Sequence, residues 1–384
     1  MKYNHVFAFL EILECEGGIQ SYVKDILKAY LSLTSDVSNI GYGRYTAEVF
    51  LLRDRLGCQN PFDTYPLKFH YLKTQQPWLG RLKIAIALCV CLLRRRPQHI
   101  FCGHIKLAPL VQKLCQPLGI PYTVLTYGKE VWHRLPNQER QALQQATGIW
   151  TISRYSRDRL CAANDIDPQK VQILPCAIDG DVFTPGSKPQ NLVDLYGLAD
   201  AKVLMTVARL WSGDIYKGVD VTIRALGAIA RVFPNVKYLV IGRGDDQPRL
   251  AQLAKDLGVA DRVVFAGFVP TDALVEHYHV ADAYIMPSQE GFGIVYLEAM
   301  ACGVPVLAGD ADGSSDPLQD ARLGWRVPHR DSEAVATACI EILKGGDLRC
   351  DGLWLREQTL AAFGKDAFIQ RLKLLLDTTA TNQR

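Results

Sequence analysis

The feature that most constrains the fold is an alternation of short apolar runs with helix-like patterns, which occurs twice along the chain. Short apolar runs separated by helical patterns predict parallel β-strands covered by α-helices. In the first half the apolar runs lie at residues 5–13, 99–102, 122–126 and 148–153. In the second half they lie at residues 203–207, 238–241, 263–266, 283–286 and 304–307. The sequence therefore predicts two doubly wound, Rossmann-like α/β sheets.

A linker separates the two halves. Residues 179–190 contain Pro185, Gly186 and Pro189, and this composition is typical of a connecting segment. We predict an N-terminal domain over residues 1–185, a C-terminal domain over residues 186–360 and a last helix, 361–384, that packs back on the first domain. Doubly wound sheets bind ligands at the carboxyl ends of their strands, so we expect a site in a cleft between two facing domains.

Composition excludes several classes of protein. The longest apolar run, Ile84–Leu93, is ten residues long, about half the length that a membrane-crossing helix needs. The N-terminal residues do not resemble a secretory signal peptide. Eleven cysteines without paired spacing indicate reduced thiols. These features predict a cytoplasmic protein without transmembrane helices.

The most informative segment runs from Pro287 to Gly303 and contains Glu290 and Glu298. It follows a predicted strand, passes through a glycine-rich loop and opens a helix, whose unpaired N–H groups suit an anion. The two carboxylates could instead form a hydrolase pair. Eight helical residues span roughly 12 Å, which is longer than the ~5–9.5 Å separation of glycosidase carboxylates. The spacing favours two hydroxyl-bearing groups with a diphosphate between them.

The Glu290-Gly-Phe-Gly segment with a second Glu at 298 resembles the signature of retaining glycosyltransferase family 4, which has the GT-B fold. The resemblance extends over nearly the whole chain. It implies that Glu290 contacts the donor sugar and that Glu298 holds the ribose. It also implies that the loop residues that meet the phosphates and the sugar are Phe292, Gly293, Ile294 and Val295.

Two cations follow the first predicted strand of the second half. Arg209 and Lys217 match the family residues that neutralise the departing diphosphate. Gly242, at the end of the next strand, is expected to contact the nucleotide base or to turn the chain. Asp310-Ala-Asp312 matches an Asp-x-Asp metal motif, but its companion acids are missing, and we expect no metal and no other cofactor.

Two further donor-binding features lie in the first half. Gly17 and Gly18 separate the first predicted strand from its helix and can bring backbone N–H groups close to a phosphate or sugar. His104 follows another strand and resembles the family histidine that points at the donor sugar. A second histidine common in the family is replaced here by Tyr127, to which we assign no catalytic role.

These observations predict retaining, metal-independent transfer of a hexose from a nucleotide diphosphate sugar to a glycan, lipid or small-molecule acceptor. Two alternatives stay open: a nucleotide-sugar epimerase of the same fold, and a catalytically idle nucleotide-sugar-binding protein. The residues are not those of a nucleic-acid-binding protein.

The last feature of the sequence is a basic region. Between Thr64 and Lys129 there is no Asp or Glu, whereas ten residues are Lys or Arg. Basic residues beside the apolar run at 84–93 favour the headgroups of an anionic bilayer, and an acidic acceptor would suit them equally. We therefore expect peripheral contact with the inner membrane face as one role of this region.

Overall fold

The computed structural model describes residues 3–15, 17–35 and 45–381. The chain divides by contacts into two units, residues 1–176 with 366–384, and residues 177–365. Glu16, which precedes the predicted glycine loop, lies outside the described residues. The domain boundaries predicted from the sequence, after residues 185 and 360, remain predictions.

The first unit contains a seven-stranded parallel sheet with the strand order β3-β2-β1-β4-β5-β6-β7. Its strands are β1 (Tyr3–Phe9), β2 (Tyr45–Leu51), β3 (Leu67–Tyr71), β4 (His99–Cys102), β5 (Tyr122–Leu125), β6 (Gly148–Thr151) and β7 (Val171–Ile173). The inner strands are almost wholly apolar because helices cover both faces of the sheet. The order places β1 beside β4, so the loops that follow these two strands are neighbours at the carboxyl edge.

The helices of the first unit connect these strands. They are α1 (Gly18–Ser35), α2 (Pro77–Arg95), α3 (Ala108–Cys115), α4 (Asn137–Gln144) and α5 (Arg154–Asn164). On one face of the sheet, α2 and α3 contribute Leu88 and Val111 to a core that includes Val6 and Ile100. The core therefore fixes α2 to the sheet along one side of the helix.

The second unit contains a six-stranded parallel sheet with the order β10-β9-β8-β11-β12-β13. Its strands are β8 (Lys202–Val207), β9 (Val236–Ile241), β10 (Val263–Gly267), β11 (Ala283–Met286), β12 (Val306–Gly309) and β13 (Trp325–Val327). Its helices are α6 (Gln190–Tyr196), α7 (Val219–Ala230), α8 (Gln247–Asp256), α9 (Leu274–Val280), α10 (Ile294–Ala301), α11 (Ser332–Lys344) and α12 (Gly352–Phe363). The predicted fold class, two doubly wound Rossmann-like parallel sheets, is confirmed.

The last helix, predicted at 361–384, is interrupted near its start. Gly364 separates α12 from α13 (Lys365–Thr381). A Cβ at residue 364 would lie 2.5 Å from the carbonyl oxygen of Leu360, so the tight turn requires glycine. Most of α13 belongs to the first unit, where Phe368 packs edge-on against Tyr22. None of the helices in the described ranges is long and apolar enough to cross a membrane.

Candidate functional site

Three loops meet at the carboxyl edge of the second sheet, following β8, β11 and β12. Two backbone hydrogen bonds connect them: the N–H of Gln289 donates to Tyr216, and that of Gly313 donates to Glu290. Gly218 lies in the left-handed region at φ +74°, and a Cβ there would lie 2.4 Å from the carbonyl oxygen of Pro287. The adjacent order of β8, β11 and β12 therefore brings three polar loops to one place.

Lys217 and Glu290 form an ion pair at the centre of this edge. Both side chains are largely buried, with exposed fractions of 17% and 18%. Burial acts to lower the pKa of Lys217, but the interactions with Glu290, Tyr216 and Asp214 together outweigh burial and the pKa is raised. Lys217 is therefore a permanent cation, and its partner is the carboxylate that the sequence assigned to the donor sugar.

Arg209 lies at the entrance to the same edge and is mostly exposed. Its guanidinium is 3.0 Å from the Asp214 carboxylate and stacks 4.8 Å from the centre of the Trp211 ring. A narrow pocket of about 10 Å³ is lined by both predicted cations, Arg209 and Lys217. A single groove of the second unit therefore holds both charges that were predicted to meet a diphosphate.

The loop after β11 ends at Gly293, which begins α10 in the left-handed region at φ +90°. No side chain among the described residues caps this helix, so its first N–H groups, including those of Ile294 and Val295, face the loop edge uncapped. Phe292 is buried and packs edge-on against Phe363. Only the backbone of Phe292 can therefore meet a ligand, in keeping with the predicted role of the loop amides.

Glu298 lies further along α10 and accepts a hydrogen bond of 2.7 Å from the Tyr278 hydroxyl. Burial raises the pKa of Glu298, and the hydrogen bond from Tyr278 acts in the opposite direction. One carboxylate oxygen is therefore fixed by the protein, which leaves the other to accept a hydrogen bond from a ligand hydroxyl.

Asp312 holds the loop of Glu290 in place, a role that the sequence interpretation missed. Its carboxylate is buried and accepts the backbone N–H of Glu290 at 2.6 Å and that of Ser314 at 2.9 Å. Burial raises the pKa of Asp312 to about 6. The pattern Asp312-Gly-Ser314 is typical of a side-chain-capped turn, and this signal could have indicated a positioning role.

In the described part of the chain, Asp310 and Asp312 are not joined by further side chains that could bind a metal ion. Asp310 is exposed, whereas Asp312 is occupied by backbone donors. Within residues 3–15, 17–35 and 45–381, no group of three or more His, Cys, Asp or Glu side chains is arranged to hold a metal ion.

Gly242 ends β9 at φ +134°, and a Cβ there would lie only 1.8 Å from the carbonyl oxygen of Ala208. Its N–H donates to Gly267. The close contact between the loops after β8 and β9 therefore requires glycine at this position, and this structural requirement exists whether or not the residue contacts a nucleotide.

In the first unit, His104 follows β4 and lines a recess of about 170 Å³. Its Nδ1 accepts the N–H of Lys106 at 3.1 Å, which leaves the proton of the neutral ring on Nε2. Burial, together with the charges of Lys106 and Arg53, lowers the pKa of His104 to about 4. At neutral pH His104 is therefore an uncharged hydrogen-bond donor.

The start of α1 lines the same recess through Ile19 and Gln20. Gly17 and Gly18 come immediately before them, and a Cβ at Gly18 would meet nothing within 4 Å. The preceding loop is held by the fully buried Asp54, whose carboxylate accepts the N–H groups of Ile12, Leu13 and Glu14 at 2.8–3.0 Å. The structure therefore brings His104 and the beginning of α1 to one recess.

Tyr127, which stands where the family often has a histidine, is buried and donates its hydroxyl proton to the carbonyl of Gly103 at 2.6 Å. A Cβ at Gly103 would lie 2.0 Å from the ring of Phe9. Tyr127 therefore supports the turn that presents His104.

Comparisons with known proteins agree with this architecture. The fold matches that of HepE from Anabaena in complex with UDP, with a TM-score of 0.76 over 98% of this chain and all of that chain, at 19% identity. The fold is therefore that of the GT-B glycosyltransferases. Residues 201–345 match the family model described as glycosyl transferases group 1. The matched region contains Arg209, Lys217, Glu290 and Glu298, and the resemblance to a glycosyltransferase family recognised from the sequence is confirmed.

Two curated relatives extend the comparison. The chain is 36% identical over 233 residues to a GDP-mannose-dependent alpha-(1-6)-phosphatidylinositol monomannoside mannosyltransferase of Mycolicibacterium smegmatis. It is 35% identical over 211 residues to a D-inositol 3-phosphate glycosyltransferase of Mycobacteroides abscessus. These matches cover 57% and 53% of this chain, and the chain spans 59% and 46% of the two relatives.

Proposed function

We propose that the protein transfers a sugar, with retention of anomeric configuration and without a metal ion, from a nucleotide diphosphate sugar to an acceptor. The observation that carries this proposal is the cluster of Arg209, Lys217 and Glu290 beside the uncapped start of α10. Such a cluster provides positive charge for a diphosphate and a carboxylate for sugar hydroxyls, within loops already held together by hydrogen bonds.

The chemistry follows from where charge develops. The bond between the anomeric carbon and the diphosphate oxygen breaks, a bond from that carbon to the acceptor oxygen forms, and the acceptor proton passes to the released diphosphate or to solvent. Negative charge grows on the departing diphosphate, so Arg209, Lys217 and the N–H groups of α10 stabilise the transition state more than the ground state. Glu290 and His104 orient the sugar, and Glu298 holds the ribose.

The acceptor is proposed to carry negative charge. Arg53 and Lys106 line the recess that contains His104, and, although Glu11 in the same recess pairs with Arg53 at 3.5 Å, the recess carries a net positive charge. The two curated relatives are named for a phosphatidylinositol monomannoside and for D-inositol 3-phosphate, both of which bear a phosphate. This combination favours a phosphorylated polyol, in free or lipid-linked form, over a neutral glycan. A lipid-linked acceptor also suits a cytoplasmic protein in peripheral contact with the inner membrane face.

The experiment is a donor screen with UDP-, GDP- and ADP-sugars, with and without D-inositol 3-phosphate, in which the released nucleoside diphosphate is measured. We expect release that D-inositol 3-phosphate accelerates, and a product whose anomeric proton shows the configuration of the donor by NMR. Conversion of the donor sugar without release of a nucleoside diphosphate would indicate an epimerase. Donor binding without any turnover would indicate a binding protein.

A chelator arm tests metal independence. Because no metal is assigned a role, EDTA should leave the rate of release within about twofold, which is a change of only ~0.4 kcal/mol in the barrier. Loss of activity in EDTA that Mn²⁺ restores would contradict the proposal and direct attention to Asp310 and Asp312.

A further inference from the structure

The outer face of α2 carries a continuous apolar strip. Six large side chains on this helix are 37–60% exposed: Trp78, Leu79, Leu82, Ile86, Val90 and Leu93. At 100° per residue these positions fall within an arc of about 120°. The opposite face contributes Ile84, Leu88 and Leu92 to the core of the first unit, so the apolar strip is not part of that core.

Basic side chains border the strip along one side. By the same helical angles, Lys83 and Arg94 lie next to the Val90 edge of the strip, whereas Arg81 and Arg95 fall on the side of the helix that faces the core. The helix contains no acidic residue. Arg95 is paired with Glu48, at 3.3 Å from Nε to the carboxylate. The strip is therefore apolar in its centre and positive along one border.

This arrangement suits one kind of partner better than others. Exposed apolar strips rimmed by basic residues are typical of helices that lie in the interface of an anionic bilayer. A helix of 19 residues presents a strip roughly 28 Å long. Because the opposite face is fixed in the core, α2 can lie in the plane of a membrane but cannot cross it. An acidic protein partner would pair with the basic border but would not require so long an apolar centre.

We propose that α2 is the surface by which the protein binds an anionic membrane. Its apolar arc enters the boundary between headgroups and acyl chains, and Lys83 and Arg94 contact lipid phosphates. The inference rests on the peripheral contact proposed above and adds the segment, its orientation and the residues that enter the lipid.

Vesicle binding tests the surface. The full chain is sedimented with vesicles of phosphatidylcholine alone and of phosphatidylcholine with 30% phosphatidylglycerol, at 50 mM and at 500 mM salt. We expect binding to the anionic vesicles that weakens at high salt. Each basic residue near such a surface strengthens binding by about fivefold, so Lys83→Ala with Arg94→Ala should weaken it by roughly 25-fold. Leu82→Glu with Ile86→Glu should weaken it by at least tenfold.

Matched controls come from the second unit. Leu195 and Leu353 are exposed by 68% and 75%, so Leu195→Glu with Leu353→Glu changes two exposed apolar residues that are not part of α2. Lys255→Ala with Lys344→Ala is the matched control for the basic residues, because it removes two lysines that are not part of α2. Both controls should bind vesicles as the unsubstituted chain does. Equal loss in the controls and the α2 variants, or binding that ignores lipid charge, would overturn the proposal.

Orientation is tested by the fluorescence of Trp78. Brominated lipids quench tryptophans that enter the acyl boundary, so quenching should occur on vesicle binding and should disappear in Trp78→Phe. Quenching that persists in Trp78→Phe would place another surface at the membrane. A dimer of the free chain that Leu82→Glu with Ile86→Glu dissociates would instead assign the strip to a second copy.

Catalysis gives an independent readout. Donor turnover with a water-soluble acceptor should be unchanged in the α2 variants, because α2 supplies no residue of the candidate site. If the full chain binds vesicles through α2 but turns over no donor, the catalytic proposal fails and this inference holds. If donor turnover is normal and vesicle binding is absent, the reverse is true.

Discussion

The carboxyl edges of the two sheets differ in how they hold charge and space. In the second unit the cations are already paired, Lys217 with Glu290 and Arg209 with Asp214, and the pocket that both cations line, between the loops after β8 and β9, measures about 10 Å³. In the first unit the recess beside His104 measures about 170 Å³, and Arg53 in it is paired with Glu11 at 3.5 Å. One edge is narrow beside its ion pairs, whereas the other is open.

The difference indicates how each edge can bind a ligand. A diphosphate that enters the narrow edge replaces carboxylates as the partner of the cations, so Arg209 and Lys217 exchange one set of anionic oxygens for another. The open edge has room for groups of different shape, and its histidine is uncharged at neutral pH. We therefore expect substitutions in the second unit to act through charge, and those in the first unit to act through a hydrogen bond.

The largest effect is expected from Arg209→Ala. It removes positive charge at the departing diphosphate, and the loss of one preorganised group of this kind costs roughly 10²–10³ in rate. The measurement is turnover of the preferred donor under saturating conditions. Arg231→Ala, an exposed arginine at the end of α7, is the matched control and should be neutral. A folded Arg209→Ala protein with turnover within threefold of the original would remove the diphosphate role and break the comparison.

A smaller effect is expected from His104→Ala. The substitution removes one donor from the open edge, and a hydrogen bond to a charged or developing oxyanion contributes ~1.5–3 kcal/mol, or roughly 10- to 100-fold in rate. The exposed His133→Ala serves as control. Because the pKa of His104 is lowered to about 4, its ionisation should not appear in the pH profile between 5.5 and 8. An acid limb near 6.5 that His104→Ala abolishes would show that the ring is charged during turnover.

The next effect is expected from Asp312→Asn, which tests whether the pH dependence of turnover arises in the second unit. The pKa of Asp312 is raised to about 6, so the carboxylate that accepts the N–H of Glu290 becomes protonated below that pH. Turnover should therefore fall as the pH drops from 7 to 5. Asp312→Asn should lower turnover about tenfold at pH 7.5, the effect of one lost hydrogen bond of ~1.4 kcal/mol, and should flatten that limb. Asp310→Asn, which changes an exposed carboxylate in the same loop, should retain both the rate and the limb.

The free energy of unfolding should change with pH in the direction opposite to turnover. Burial raises the pKa of Asp312 above its value in the unfolded chain, so the contribution of this group is greatest below about pH 4 and is lost as the pH rises through about 6. The free energy of unfolding, followed by urea titration, should fall less over this range in Asp312→Asn. An unchanged slope would contradict the assigned ionisation.

The sequence predicted the sheets because strands buried on both faces are continuous apolar runs. It missed β2, β3 and β13. In β2 and β3, charged or polar residues such as Glu48, Lys68 and His70 interrupt the apolar pattern, and β3 and β13 are edge strands. The apolar run noted at residues 84–93 covers only part of α2, which begins at Pro77. The first turns of α2 expose apolar residues to solvent. The spacing of apolar residues there therefore does not indicate a helix with one buried face.

Some residues of the candidate site could also be predicted from the sequence, and others could not. Arg209, Lys217 and Glu290 could be predicted because charged residues at the ends of apolar strands stand out in sequence. Asp312 and Tyr278 could not be assigned their partners, because the hydrogen bonds to Glu290 and Glu298 join residues 22 and 20 positions apart. Such contacts depend on the order of strands in the sheet, which local patterns do not reveal.

The smallest effect is expected from Tyr278→Phe, and it tests whether the narrow edge extends to Glu298. The hydroxyl of Tyr278 donates to Glu298 at 2.7 Å, and burial raises the pKa of that carboxyl. Without the hydroxyl, the carboxylate loses its fixed orientation and the pKa should rise further, so fewer molecules present an ionised acceptor to the ribose. A hydrogen bond of ~0.5–1.5 kcal/mol corresponds to a rise of roughly 2- to 12-fold in the donor KM, whereas kcat should change little because the ribose is remote from the breaking bond. Tyr196→Phe, which removes a hydroxyl 3.1 Å from His277 in the same unit, is the control. A fall in kcat at unchanged KM would instead connect Glu298 to the reacting centre.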